Sequence, residues 1–439
     1  MVRIGRMASR NLHLSRRTLL GGLGASALPL WRPRTAAAAA GEAILIQAKP
    51  GTLALRPGQP DTPVSILAGP VSPLRFKRGA SPQIAFQNGL PAPAVINWHG
   101  LDGVPVAEAL TGPAAIVGGA TTRLAMPLRH AGTLFGDLGL FTEGPSRALP
   151  LVVEENEAQP VDRDEIVLIE DYRLRSDGMA VSPGSDPKDA SSVFTVNGMV
   201  SPDIAVHSNQ RLRLRFINAC QRYVIAAKIE GLEARVMAFD GQPAEPFDAR
   251  NGAVVLAPGG RADVYVDVTA PSGAKPQLLV HDGKDARPVS RLVVSGEPPV
   301  RAAPLSPAPP LPSNGLPVQL ELKGAQRFDL ALTGNEWIAP ASFTTSTAPA
   351  FKVRQGRIVT LALTNRNPIA TVVHLHGHHA RLLDRLDDGW KPYWLDTLAI
   401  APGQTERVAF AAEHAGRWLL ESTATDWAAP KLLRWYSVE

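Results

Sequence analysis

A turn-and-strand unit occurs twice in this chain, and it constrains the fold more than any other feature. Leu256-Ala-Pro-Gly259 runs into Arg261-Ala-Asp-Val-Tyr-Val-Asp267, and Ile400-Ala-Pro-Gly403 runs into Glu406-Arg-Val-Ala-Phe410. Proline has no amide proton to give a sheet, and glycine tolerates tight-turn angles, so each unit reads as a turn feeding a strand. The recurrence marks an internally repeated fold. Short β-rich runs fill the rest: Ile44-Leu-Ile-Gln47, Leu74-Arg-Phe-Lys77, Gln83-Ile-Ala-Phe-Gln-Asn88, Val95-Ile-Asn-Trp-His99 and Leu149-Pro-Leu-Val-Val153. They are separated by glycine and proline at sandwich-like spacing. The 40 prolines and 38 glycines, with few helical periodicities, point to an all-β protein.

The first 40 residues read as an export signal. Ser15-Arg16-Arg17-Thr18-Leu19-Leu20 is a twin-arginine pattern, followed by a weakly apolar stretch and an alanine run over 36–40. The stretch is too short to span a bilayer. The chain is therefore expected in the periplasm, exported by the twin-arginine pathway and without a membrane span. Those 40 residues hold seven arginines and no acid, which leaves 38 basic against 40 acidic residues in the remainder. That balance gives no support for nucleic-acid binding. A polar segment near Glu155 and a polyproline-like stretch over 298–317, with eight prolines, divide the rest. The expected domains are 41–157, 158–297 and 318–439, with 298–317 as linker. In the second, alternation over Arg211-Leu-Arg-Leu-Arg-Phe-Ile-Asn218 predicts a half-buried strand whose arginines form a solvated or interdomain face.

Four of the ten histidines fall in Thr371-Val-Val-His374-Leu-His376-Gly-His378-His379. On a strand His374, His376 and His378 would share one face, and imidazoles so placed suit copper, zinc or iron. Of the other six, His130, His207, His281 and His414 look isolated. The single cysteine, Cys220, rules out an intramolecular disulfide and, lying in the second domain, is expected to be far from the Glu421-Ser422-Thr423 stretch of the third. Trp390-Lys-Pro-Tyr393-Trp394 reads as packing for the third domain, with an aromatic binding surface as the other reading.

His374-Leu-His376-Gly-His378 and Asn97-Trp98-His99-Gly100-Leu101 resemble the third and first copper motifs of multicopper oxidases. Asp102-Gly-Val-Pro105, Gly132-Thr133, Asp396-Thr397 and Gly416-Arg-Trp418 extend the resemblance over nearly the whole chain after the export signal. It implies three cupredoxin-like Greek-key β-sandwich domains. It also implies one blue copper in the third domain and a three-copper, oxygen-reducing cluster between the first and third.

Carried over residue by residue, many ligands are replaced. Asn97 stands for the leading histidine of the first motif, while His99 keeps the second. Asp137 and Gly139 stand where the second motif carries histidines. Thr371 replaces a blue-copper histidine, and His374 and His376 remain. Glu421, Ser422 and Thr423 occupy the His-Cys-His positions, and Trp427 the last blue-copper histidine. Blue copper needs a thiolate to pass electrons onward, and the Ser422 hydroxyl is a hard, weakly acidic substitute. Ordinary oxidase activity is therefore not expected, nor the full four-copper set.

His99, His374, His376, Asp137 and Glu421 form a remnant set with two readings. They are relics satisfied by hydrogen bonds, with no cofactor, or they hold a single ion of copper, zinc, iron or manganese. The corresponding functions are a non-redox scaffold or binding protein with a protein partner, and an atypical metal-dependent oxidoreductase or metal-handling protein. The first is similar in kind to the copper-free, twin-arginine-exported SufI/FtsP-type proteins. Retention of His-Leu-His-Gly-His departs from that comparison.

Overall fold

The computed structural model describes residues 43–141, 144–383 and 393–439. The twin-arginine stretch and residues 390–392 of the aromatic cluster lie outside the described residues. Alternation governs the strands. In Ile358–Thr364 every second side chain, Val359, Leu361 and Leu363, is buried. That is the period of a pleated strand with one face on a core.

Among the described residues the strands form six sheets, with no α-helix and two short 3-10 turns, Arg250–Gly252 and Pro340–Ser342. The sheets face each other in pairs across three cores. Ile46 and Phe86 of one sheet pack with Leu134 and Leu151 of its partner. Leu214 and Val264 meet Ile225 and Val280, and Leu361 and Phe410 meet Val373 and Leu420. The chain thus adopts the expected all-β architecture of three cupredoxin-like sandwiches.

The internal repeat is visible in the topology. Each sandwich has an early strand paired parallel with a later one: Ile44–Leu53 with Gln83–Asn88, Arg163–Leu174 with Arg211–Asn218, and Gln326–Ala331 with Ile358–Thr364. Both Ala-Pro-Gly turns do the same work. One carries the chain from Ala253–Leu256 to Arg261–Asp267 in the facing sheet, and the other from Thr397–Ile400 to Thr405–Ala411. Gly259 and Gly403 take φ of 92° and 69°, the left-handed region that glycine enters without strain.

The arginine strand differs from expectation. Arg211–Asn218 is buried along its whole length, because its arginine face is covered rather than solvated. Arg213 forks onto Glu155 at 2.9 and 2.8 Å and reaches Asp263 at 2.6 Å. Arg215 forks onto Asp164 at 2.6 and 2.7 Å and also donates to Thr133. Buried charge is tolerated here because each guanidinium has a fork of matching acceptors. The interdomain half of the expectation is the one that applies, since Thr133 belongs to the first sandwich and Glu155 lies just beyond it.

Candidate functional site

The Thr371–Leu375 strand lies between Thr397–Ile400 and Gly416–Ala424, which places His374 opposite both Thr397 and Glu421. The strand stops at Leu375. Gly377 turns with φ 74°, and a Cβ there would lie 2.1 Å from the Trp418 ring. His378 therefore leaves the face that it was expected to share with His374 and His376. Its Nδ1 lies 2.8 Å from the Tyr436 hydroxyl, which itself donates to the His376 carbonyl, and its Nε2 accepts from the His414 amide. A ring with one donating and one accepting nitrogen is neutral, in keeping with a pKa lowered to about 3 by burial.

The first sandwich presents its own strand pair to this region. Asn97 is opposite Asp137 and His99 opposite Phe135. The His99 ring lies flat between Phe135, 4.2 Å away at 1°, and His374, 4.4 Å away at 8°. His99 Nε2 lies 2.8 Å from Asp137 Oδ2, while its Nδ1 has no hydrogen-bond partner.

Glu421 is the hub. Its Oε1 accepts from Asn97 Nδ2 at 2.6 Å and lies 2.8 Å from His376 Nε2; its Oε2 is 2.8 Å from the Lys431 ammonium. The other nitrogen of His376, Nδ1, lies 2.8 Å from Glu108 Oε1. His374 Nδ1 is 3.6 Å from Glu421, beyond a hydrogen bond, and remains unpartnered. The electrostatics follow this wiring. Burial lowers His376, but Glu108 and Glu421 outweigh it and raise its pKa to about 10. Burial, helped by His376 and His99, lowers His374 to about 3. Burial raises the Glu421 carboxyl, yet Lys431 and the imidazoles hold it well below the usual range.

The five sequence-predicted residues thus divide. Donor atoms of His374, His376 and Glu421 fall within 4.8 Å of one another. His99 and Asp137 form a pair of their own, joined to the others through the ring stack. A cleft enclosing about 50 Å³ is lined by His99, Asp137, His374, Glu421, Arg222 and Lys431. Cys220 lines it too, with Glu421 and Thr423, which corrects the expectation that the thiol lies far from the Glu421-Ser422-Thr423 stretch: the second sandwich folds against the other two here. The thiol is buried, and burial pushes its pKa well up.

The residues expected from the resemblance to stand at blue-copper positions are engaged separately. Thr371 Oγ1 donates to Asn365 and accepts from Asn367. The Trp427 indole donates to the Ser182 carbonyl of the second sandwich and lies beneath Arg173. Ser422 is buried opposite Val373.

A second histidine cluster was not anticipated. His379 is held between Asp102 Oδ2 and the Asp240 carbonyl, at 2.5 and 2.7 Å, and His130 Nδ1 lies 3.2 Å from the same Asp102 oxygen. Beside it Arg261 forks onto Asp396 at 2.8 and 2.6 Å. Asp102 raises His379 to about 9 against the effect of burial. His130 and His414 are therefore not isolated: the first joins this cluster, and the second stacks on His378 at 5.4 Å. Asp102 and Asp396 carried a signal as parts of recognised motifs. Glu108 and Lys431 carried none, since neither belongs to a histidine motif. Trp394 is buried beside Leu320, Leu383 and Ala409, as expected of a packing residue.

Two segments, residues 169–274 and 316–439, match family profiles that are both described as Multicopper oxidase. The chain belongs to the multicopper oxidase superfamily. Similar solved structures include a multicopper oxidase from Pseudomonas thermotolerans, 25% identical over 90% of this chain and 98% of that one, with a TM-score of 0.75. Lac15 from a marine microbial metagenome is 25% identical over 90% of this chain and 100% of that chain, at a TM-score of 0.74. The McoA multicopper oxidase of Aquifex aeolicus, 18% identical over 91% and 96% with a TM-score of 0.70, shares the fold. No curated protein sequence matches the chain. Membership implies copper binding, and the side chains that bear on it are those described above.

Proposed function

We propose that this chain is an exported, periplasmic member of the superfamily that does not perform copper redox chemistry and serves as a scaffold or binding protein. His376 carries the reading. A metal ligand must offer a ring-nitrogen lone pair, and both His376 nitrogens lie 2.8 Å from carboxylate oxygens, so both carry protons and donate. The stack adds a second constraint. A metal lies close to the plane of each imidazole that binds it, and the parallel rings of His99 and His374 share no such point. The side chains at the blue-copper positions, Thr371, Ser422 and Trp427, offer no thiolate and no imidazole. The residues present do not fit the four-copper set.

A second reading, one ion held by His374, His376 and Glu421, draws on the closeness of their donor atoms. Elemental analysis of protein matured through its own export pathway, with an absorption spectrum of the same sample, separates the two. The expected result is less than a stoichiometric metal content and no intense blue band. About one metal per chain without that band would favour the single-ion reading, and the band itself would overturn the ligand assignment.

A further inference from the structure

Resting on the metal-free reading, we infer that the Lys431 ammonium is the resident cation of the remnant cluster, and that it closes a latent divalent-metal site formed by His374, His376 and Glu421. Lys431 opens the strand Lys431–Val438 and pairs with Thr423 of the neighbouring strand. Glu421, two residues back on the same face as Thr423, is then its diagonal neighbour, within reach of a long side chain. The ammonium lies 2.8 Å from Glu421 Oε2, with its side chain only 16% exposed.

Charge explains why a cation belongs there. Glu421 and Asp137 both face the cleft, and a buried carboxylate without a counter-charge is costly. In a metal centre the ion would supply that charge. Here Lys431 supplies it, with its ammonium on Glu421 Oε2 in a cleft that Asp137 also lines. Room for it comes from position 139. A Cβ on Gly139 would lie 3.5 Å from Lys431 Nζ and 3.0 Å from Asp137 Oδ1, so an imidazole built there would crowd the ammonium.

The other donors of a mononuclear site lie beneath, with the His376 Nε2 proton released to solvent when an ion binds. His376 Nε2 and Glu421 Oε1 already face each other, and His374 Nδ1 is buried without a partner, 3.6 Å from the same oxygen. Glu108 accepts from His376 Nδ1, the arrangement by which a carboxylate orients a metal-bound histidine. Two imidazoles and a carboxylate suit zinc or cobalt(II). What closes the site is the Lys431 ammonium held on Glu421 Oε2.

The test is Co2+ and Zn2+ titration of the full chain, read by elemental analysis after dialysis and by the Co2+ ligand-field spectrum. Wild type and Lys431→Arg are expected to hold no stoichiometric metal. Lys431→Met is expected to bind about one Co2+ per chain, a gain of at least tenfold in affinity, lost again when Glu421→Gln is added. Lys431→Met with Asp137→Asn removes one charge of each sign, so it keeps the cleft balanced should the single variant fail to fold; it too is expected to bind. Folded variants that bind no metal would overturn the inference and leave the metal-free reading standing. Stoichiometric metal in the wild type at these residues would overturn both.

Discussion

The two histidine clusters lie on either side of one short stretch, His374 to His379, yet they are finished to different degrees. Around His379 each imidazole nitrogen has a partner, Asp102 on one side and the Asp240 carbonyl on the other, and Asp396 is gripped by the fork of Arg261. Around His374 the Nδ1 atoms of two stacked rings have no hydrogen-bond partner, and the Lys431 ammonium lies on Glu421. Buried polar groups are normally satisfied, so the two unpartnered nitrogens set this cluster apart from the other. The first cluster joins three sandwiches by charge. The second brings donor atoms of His374, His376 and Glu421 within 4.8 Å of one another.

Substitutions should separate the two along that line. The largest loss is expected for Arg261→Leu, which strips the counter-charge from two buried carboxylates, Asp240 and Asp396, at once. We expect about 4 kcal/mol off the unfolding free energy, measured by denaturant titration. A loss below about 1 kcal/mol would mean that the seam is not a stabilising contact. His379→Phe should follow at about 3 kcal/mol, since it leaves Asp102 with a weaker partner in His130.

The pH dependence of that seam has a definite sign. His379 is raised in the folded protein to about 9, so its contribution is complete below the unfolded value of about 6.5 and disappears as pH rises through the folded value. Stability should fall between these limits, by on the order of 2–3 kcal/mol more in wild type than in His379→Phe. Equal slopes in the two proteins would remove His379 from the account. Asp102 acts oppositely: its carboxyl is held well below the usual range because His379 and His130 outweigh burial, so its contribution is lost on acidification.

The smallest effect is expected at His374. Its Nδ1 makes no hydrogen bond, and its ring packs against those of His99 and His376. His374→Phe keeps the ring and removes an unsatisfied atom, so the change should stay within about 1 kcal/mol, in either direction. A loss as large as that of His379→Phe would erase the contrast between the clusters.

Much of the fold could be read from local pattern. The repeated Ala-Pro-Gly turns, the period-2 runs and the proline and glycine punctuation are short-range statements about backbone preference, and the sandwiches obey them. The positions of His99, His374, His376, Asp137 and Glu421 were legible for the same reason, since each falls within a motif. Their wiring was not. Whether His376 is a ligand or an ion-paired imidazolium depends on Glu108, which lies 268 positions away in the chain. Whether Glu421 is ion-paired depends on Lys431, which reaches it across a strand pair. Arg211, Arg213 and Arg215 repeat the lesson: alternation fixed their common face, but only the neighbouring acids decided that it would be buried. Protonation, ligation and ion pairing depend on distances of a few ångströms between segments remote in sequence, and tertiary packing alone sets those.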